Sequence, residues 1–343
     1  MQCLDLIIDC QFGSTGKGLI AGYLAKKNRP DTIITAWAPN AGHTFIDDQG
    51  RKFVHTMLGN GIVSPNLKRV MIGPGSVIDV HALLAELEAC SDLVDRSQIV
   101  IHPHAAVVSQ RHRDEEAGPM TKIGSTKKGT GAAMIQRIRR DPSDLNTAAA
   151  EVSLTPLSDC VVSVERWFDI MRNEVEYAQV ESAQGYSLSM YHGFYPYTTS
   201  RDVSTSQTIA DCGIPYQMVE RSLSQVIGTC RTFPIRVANR YDSEGKQVGW
   251  SGPHYDDQEE TSFEAIGQKT ELTTVTKLPR RIFTYSKKQI EQAVYVNGVT
   301  KMFLNFANYA THQQLHEISS HIESLTDLQW TGWGPAEGDV RHV

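Results

Sequence analysis

Apolar positions along this chain repeat at two periods, and the two periods take turns. Residues 4–9, Leu-Asp-Leu-Ile-Ile-Asp, form a short aliphatic run of the kind that makes a buried strand. Residues 19–27 then carry apolar side chains at helical spacing. Strand character returns at 32–37, 53–58, 69–75 and 98–103, and 79–90 between them is an amphipathic helix with an acidic start at Asp79. Residues 174–181 alternate and predict a strand; 215–228 contain a helix and 229–239 a strand. Residues 241–260 are polar, with Gly and Pro, and predict a surface excursion. A helix over 287–294, a strand over 301–308 ending in a polar turn, and a last helix over 312–325 complete the pattern. Strands and helices in alternation predict an α/β fold: a mostly parallel central sheet with helices on both faces, in one domain over 1–343.

Three polar loops interrupt this pattern and carry the candidate chemistry. The first is Cys10-Gln11-Phe12-Gly13-Ser14-Thr15-Gly16-Lys17-Gly18, between the first strand and the first helix. Strand, glycine loop and helix can cradle a phosphate: loop amides turn toward one anion, the helix start adds its dipole, and Lys17 adds a point charge. Gly13 and Gly16 stand closer together than GxxxxGK[ST] requires, so an ordinary glycine turn is the competing reading. The second loop, 122–131, offers lysines and hydroxyls suited to a phosphate or simply to solvent, and Arg137, Arg139 and Arg140 follow it on a helix. The third, 273–281, is again basic and hydroxyl-bearing. His43 follows a strand end, where active residues of open α/β sheets gather, although a lone histidine near a turn is more often structural. His55 alternates with apolar neighbours and reads as a satisfied strand residue.

Composition narrows the choice. With 33 basic and 39 acidic residues the net charge is -6, against a general binder of nucleic-acid polymers or membrane surfaces but compatible with a nucleotide pocket. The six cysteines are scattered without a CxxC pair, as in reduced, mostly buried thiols of a cytosolic protein. No charged leader with a long apolar run opens the sequence and no window approaches a transmembrane span, so the expected location is the cytoplasm.

Taken in order, the motifs resemble the adenylosuccinate synthetase family, which joins aspartate to the 6-position of a purine nucleotide and hydrolyses a nucleoside triphosphate to do so. Its opening loop Q-W-G-D-E-G-K-G is here Gln11 to Gly18, and its N-A-G-H-T is intact from Asn40 to Thr44. Its G-T-T-x-x-G-x-G resembles 124–131. Its A-Q-G and Y-P-Y-x-T-S resemble Ala183-Gln184-Gly185 and 195–200, and its T-V-T-G-R-x-R-R resembles 274–281. The resemblance implies a phosphate-loop-like nucleotide-binding ligase fold. Three departures stand out. Ser14 replaces the aspartate that serves the family as base at purine N1 and as magnesium ligand. Phe306-Ala307-Asn308 replaces the K-x-D turn that selects guanine in the triphosphate, and an amide at Asn308 suits adenine, which offers one donor and one acceptor. Leu278 replaces an arginine of the aspartate loop.

These changes resemble the phage branch of the family, which condenses dGMP with L-aspartate on the way to DNA containing 2-aminoadenine. The resemblance then implies ATP or dATP as donor, Mg²⁺ as cofactor and a homodimer. It implies a catalytic set of His43, Lys17 and Ser14, in which His43 bridges the γ-phosphate and O6, Lys17 neutralises phosphate charge and Ser14 lines the base pocket. The triphosphate site is implied at Ser14, Thr15, Gly16, Lys17, Gly18, Gly42, His43, Thr44, Gln184, Arg280, Asn305 and Asn308. The dGMP site is implied at Ser14, Asn40, Ala41, Ser125, Thr126, Gln184 and Thr199, with Arg140 reaching over from the neighbouring subunit. Thr274, Val275, Thr276 and Arg280 are implied to hold aspartate, and Ser14 with the Gly42 carbonyl to hold Mg²⁺. Two alternatives stay open: a conventional synthetase acting on IMP with GTP, and a purine nucleotide sensor without catalysis.

Overall fold

The structure is a computed structural model and describes residues 1–117, 126–273 and 277–343. The first aliphatic run forms β1 (Cys3–Asp9), followed by β2 (Thr32–Thr35) and a hairpin of β3 (His43–Ile46) and β4 (Lys52–His55). Then come β5 (Arg69–Ile72), β6 (Ile99–Ile101), β7 (Tyr177–Glu181), β8 (Leu223–Arg231), β9 (Lys301–Asn305), β10 (Asp327–Gly332) and β11 (Val340–His342). All but the hairpin join one nine-stranded sheet in the order β11-β10-β9-β8-β1-β7-β2-β5-β6. Every pairing in it is parallel except β10 with β11.

Helices cover both faces, which is why the strands read as near-continuous aliphatic runs. Ile7, Val70 and Ile72 point to the face covered by α1 (Lys17–Asn28) and α2 (Val80–Ala89). Leu4, Leu6 and Ile8 point to the other, against Trp167 and Ile170 of α5 (Val164–Asn173), Ile290 of α6 (Lys287–Asn297) and Ile318 of α7 (His312–Glu323). Two further helices, α3 (Gln110–Ala117) and α4 (Thr130–Arg139), pair beside the sheet. The acidic start expected at Asp79 is an N-cap, its side chain accepting from the Ala82 amide at 3.2 Å.

Several expectations change. The strand expected over 229–239 begins at Leu223, where it pairs with Leu4; its first residues are half-exposed and polar, so they carry no aliphatic run. The strand expected at 53–58 is one arm of the hairpin, and α3, α5, β10 and β11 lacked a clear signal. His55 is buried with Nε2 at 3.4 Å from the Cys90 thiol, but its Nδ1 has no partner among the described residues, so it is only half satisfied. In the 241–260 excursion most side chains are exposed, yet Tyr255 turns inward to meet Ser187 at 3.0 Å. All six cysteines are free and all but Cys3 are buried, as expected. No described helix is long and apolar enough to cross a membrane.

Candidate active site

Because β1, β7, β8 and β9 run parallel, their C-terminal ends lie along one edge, and the residues that follow them converge there. Asp9 ends β1, and its carboxylate is buried. One oxygen accepts from the amides of Gln11 (2.9 Å) and Gly13 (3.2 Å); the other accepts from the Thr15 hydroxyl (2.5 Å) and the Lys17 ammonium (3.1 Å). The loop is thus wound around a carboxylate of its own chain. Gln11 pins it from the far side, its amide exchanging two hydrogen bonds with the Arg231 backbone at 3.1 and 2.9 Å. Lys17 also donates to the Gln184 carbonyl at 2.9 Å, so two of its three ammonium protons are spent within the chain. The helix start proper, from Gly16 to Gly18, remains the part able to meet a phosphate. Gly18 is required there, because a Cβ would stand 2.7 Å from the Thr44 carbonyl oxygen.

The hairpin brings His43 to the same edge. Its Nδ1 lies 2.7 Å from the Glu181 carboxylate at the end of β7. Its ring stacks on Trp37 with centroids 3.9 Å apart, and the Trp37 indole donates to the Glu181 carbonyl at 2.7 Å. Glu181 is itself held by the Asn60 amide at 2.9 Å. Burial lowers the His43 pKa, and the adjoining Glu181 charge offsets only part of that.

A third cluster follows β8 and β9. Arg231 is fully buried, ion-paired with Glu271 at 2.5 Å, lying over the Phe306 ring at 3.7 Å, and donating to the Ser14 carbonyl at 3.4 Å. Burial is the largest single influence on the Glu271 carboxyl and would raise it, but the charge and hydrogen bond of Arg231, with Arg280 and Tyr309, together bring the net shift downward. Arg280 is lowered by burial. Phe306 has a positive φ of 57° and Ser14 likewise, and such non-glycine backbone recurs at functional sites.

These clusters enclose a cleft of about 620 Å³, within the usual size for a ligand site. Every residue expected at the triphosphate site lines it. So do Asn40, Ala41 and Thr126 of the expected dGMP site. Thr199 and Arg140 are not among the lining residues; Arg140 caps α4 and is exposed. Ser125, Thr274, Val275 and Thr276 lie outside the described residues. The Asn305 side chain is buried, donating to the Thr15 carbonyl at 3.2 Å and accepting from the Phe306 amide at 2.8 Å, so it braces the loop, while Asn308 is exposed. The end of the second loop has a partner within the chain. The amides of Gly129, Gly131 and Ala132 donate to the buried Glu116 carboxylate.

Asp9, Glu181, Arg231 and Glu271 were not singled out from the sequence. For the first two a signal existed: an acid closing an otherwise aliphatic strand, at the edge where sites assemble. For Mg²⁺, no group of three or more histidine, cysteine or acidic side chains gathers among the described residues. Glu271 is the only carboxylate lining the cleft among them, and it is taken by Arg231. The Ser14 hydroxyl and Gly42 carbonyl both line the cleft and are hard oxygen donors. That set fits an ion held mainly by phosphate and water, as Mg²⁺ commonly is, and not an all-protein cage.

Known proteins resemble this geometry and sequence over nearly the whole chain. The family model described as adenylosuccinate synthetase matches residues 6–155 and 144–319. The N6-succino-2-amino-2'-deoxyadenylate synthase of Acinetobacter phage SH-Ab 15497 is 47% identical, covering 99% of this chain and 93% of that protein. Among solved structures, the cyanophage S-2L succinoaminodeoxyadenylate synthetase (PurZ) bound to dGMP and dATP superposes with a TM-score of 0.92 at 46% identity, over 100% of this chain and 95% of that one. The fully ligated adenylosuccinate synthetase of Plasmodium falciparum shares the fold, with a TM-score of 0.77 at 17% identity over 100% of both chains. The chain belongs to the adenylosuccinate synthetase family.

Proposed function

We propose that this protein is a ligase that condenses dGMP with L-aspartate at the expense of ATP or dATP, giving N6-succino-2-amino-2'-deoxyadenylate. The observation that carries the reading is Ser14 at the cleft, at the loop position where the family places an aspartate, in a chain 47% identical to a phage enzyme of that name. A serine beside purine N1 leaves room for the 2-amino group of guanine. Asn308, exposed and lining the cleft, offers the donor and acceptor that adenine needs.

The chemistry takes two displacements. Guanine O6 attacks the γ-phosphorus, the bond to the β-phosphate oxygen breaks, and the N1 proton passes to water or to a phosphate oxygen. The aspartate amine then attacks C6, the C6–O6 bond breaks with phosphate as leaving group, and the surplus amine proton passes to that phosphate. Lys17 and the amides at the start of α1 neutralise phosphate charge, and His43, protonated on both nitrogens once the phosphates bind, donates from Nε2 to the transferring group. Arg280 faces a carboxylate of aspartate. Mg²⁺, held by phosphate oxygens with Ser14 and the Gly42 carbonyl, would supply further charge neutralisation. Ser125, Thr126, Gln184 and Thr199 hold dGMP, and Thr274, Val275 and Thr276 hold aspartate. The exposed position of Arg140 supports a homodimer in which it serves the partner's nucleotide phosphate, in the cytoplasm of a host cell.

Phosphate release with dGMP, aspartate, ATP and Mg²⁺, run beside the same mixture with IMP in place of dGMP, tests this. Turnover with dGMP alone is expected. Turnover only with IMP would return the protein to conventional adenylosuccinate synthesis, and dGMP binding without turnover would make it a sensor.

A further inference from the structure

A buried carboxylate behind the cleft meets it only through another side chain. Glu181 closes β7 almost fully buried, with His43 and Trp37 packed against it. Its two oxygens are both engaged. Oε1 meets His43 Nδ1 at 2.7 Å, and Oε2 accepts the Asn60 amide at 2.9 Å. The Trp37 indole fixes the Glu181 backbone at 2.7 Å while the same indole lies flat against the imidazole, 18° from parallel. The ring is therefore held in its plane by one contact and in its rotation by the other.

We infer that Glu181 is a positioning residue for the ligation: by accepting the proton on His43 Nδ1 it fixes the imidazole with Nε2 directed at the transferring phosphoryl group. Among the described residues no protein group takes Nε2. A ring free to flip would present a carbon or the wrong nitrogen in half of its orientations. A carboxylate fixed by a backbone amide removes that freedom before substrate arrives, much as the buried acid does in a Ser-His-Asp triad. Lys17 of α1, Asp9 of β1 and His55, opposite on β4, are the other charged or titratable groups facing His43. None of them makes a hydrogen bond to its ring.

The kinetic part rests on the ligase reading above; the geometric part does not. In Glu181→Gln, kcat for dGMP ligation should fall by about 10²-fold while the KM values for dGMP, ATP and aspartate stay within about threefold. In a His43→Asn background the same change should cost less than about twofold, because residues acting through one another are not additive. A multiplicative loss in that background, a rise in KM alone, or an unchanged kcat would each overturn the assignment. Direct binding of dGMP to each variant shows whether it has folded. Independently of turnover, ¹⁵N shifts of the wild-type histidines, assigned by loss of one pair in H43N, should show His43 as the Nδ1–H tautomer. An Nε2–H tautomer would sink the inference even in an active enzyme. A protein with the expected tautomer but no dGMP-dependent turnover would leave Glu181 in place and overturn the ligase reading instead.

Discussion

At the scale of single residues, the departures from the family motifs carry more than the matches. Ser14 is exposed at the turn of the first loop, held in a left-handed conformation with its carbonyl taken by Arg231. Its side chain is therefore the variable part of a fixed frame. Ser14→Asp should lower kcat/KM for dGMP relative to IMP by about tenfold or more, since a longer charged side chain intrudes where the 2-amino group would lie. Competition between the two nucleotides in one phosphate-release assay checks this. Lys17 and His43 were legible because each sits in a motif with glycines. Their carboxylate partners, Asp9 and Glu181, were not, because each looks like the polar end of a strand. Only the parallel order of β1 and β7 brings those two ends together, and no local pattern encodes strand order.

At the scale of elements, helix starts and strand ends decide what each loop can hold. The Gly129 turn begins α4 with its amides on the Glu116 carboxylate of α3, so two helices are fastened through one side chain. Glu116→Ala leaves those amides without an acceptor and should destabilise the fold by about 2 kcal/mol, the cost of a few poorly satisfied donors near the surface of a core. Urea unfolding of the variant measures it; a change below about 0.5 kcal/mol would mean that water replaces the carboxylate without loss. Most elements were readable from periodicity, including β1, α1, α2, β9 and α7. The start of β8 was not, because its first residues face partly outward and carry Ser224 and Gln225 where an aliphatic run would have marked a strand. Asn305 shows the same limit within a motif. It ends a strand beside the base pocket, yet its amide bonds the backbone of two loops.

At the scale of the whole molecule, two properties follow from where charges sit. If Arg140 serves the partner's cleft, Arg140→Ala and His43→Ala proteins, each nearly inactive, should recover activity on mixing. Random exchange of subunits leaves about a quarter of the clefts with both residues intact. Mixing without any recovery would place Arg140 in its own subunit's service or in none. Stability should also depend on pH in a stated direction. Burial lowers both His55 and His102 to about 4. An unfolded chain binds protons at these histidines from about pH 6.5 downward while the folded chain does not. Their contribution is therefore complete above about pH 6.5 and is lost as pH falls toward 4. Thermal midpoints across that window should decline, and the decline should be shallower in His102→Asn.

The pairing of Lys17 with Asp9, and of Arg231 with Glu271, has a further consequence for what the empty cleft attracts. Lys17 and Arg231 arrive already paired with acids of their own chain, while Arg280, whose guanidinium bonds only the Leu272 carbonyl among the described residues, keeps its charge available to an anion. Free phosphate finds the start of α1, one spare Lys17 proton and Arg280, but brings no base or sugar. A ligand must match base, sugar and phosphate together to hold on, which makes the resting enzyme discriminate by fit before any chemistry begins.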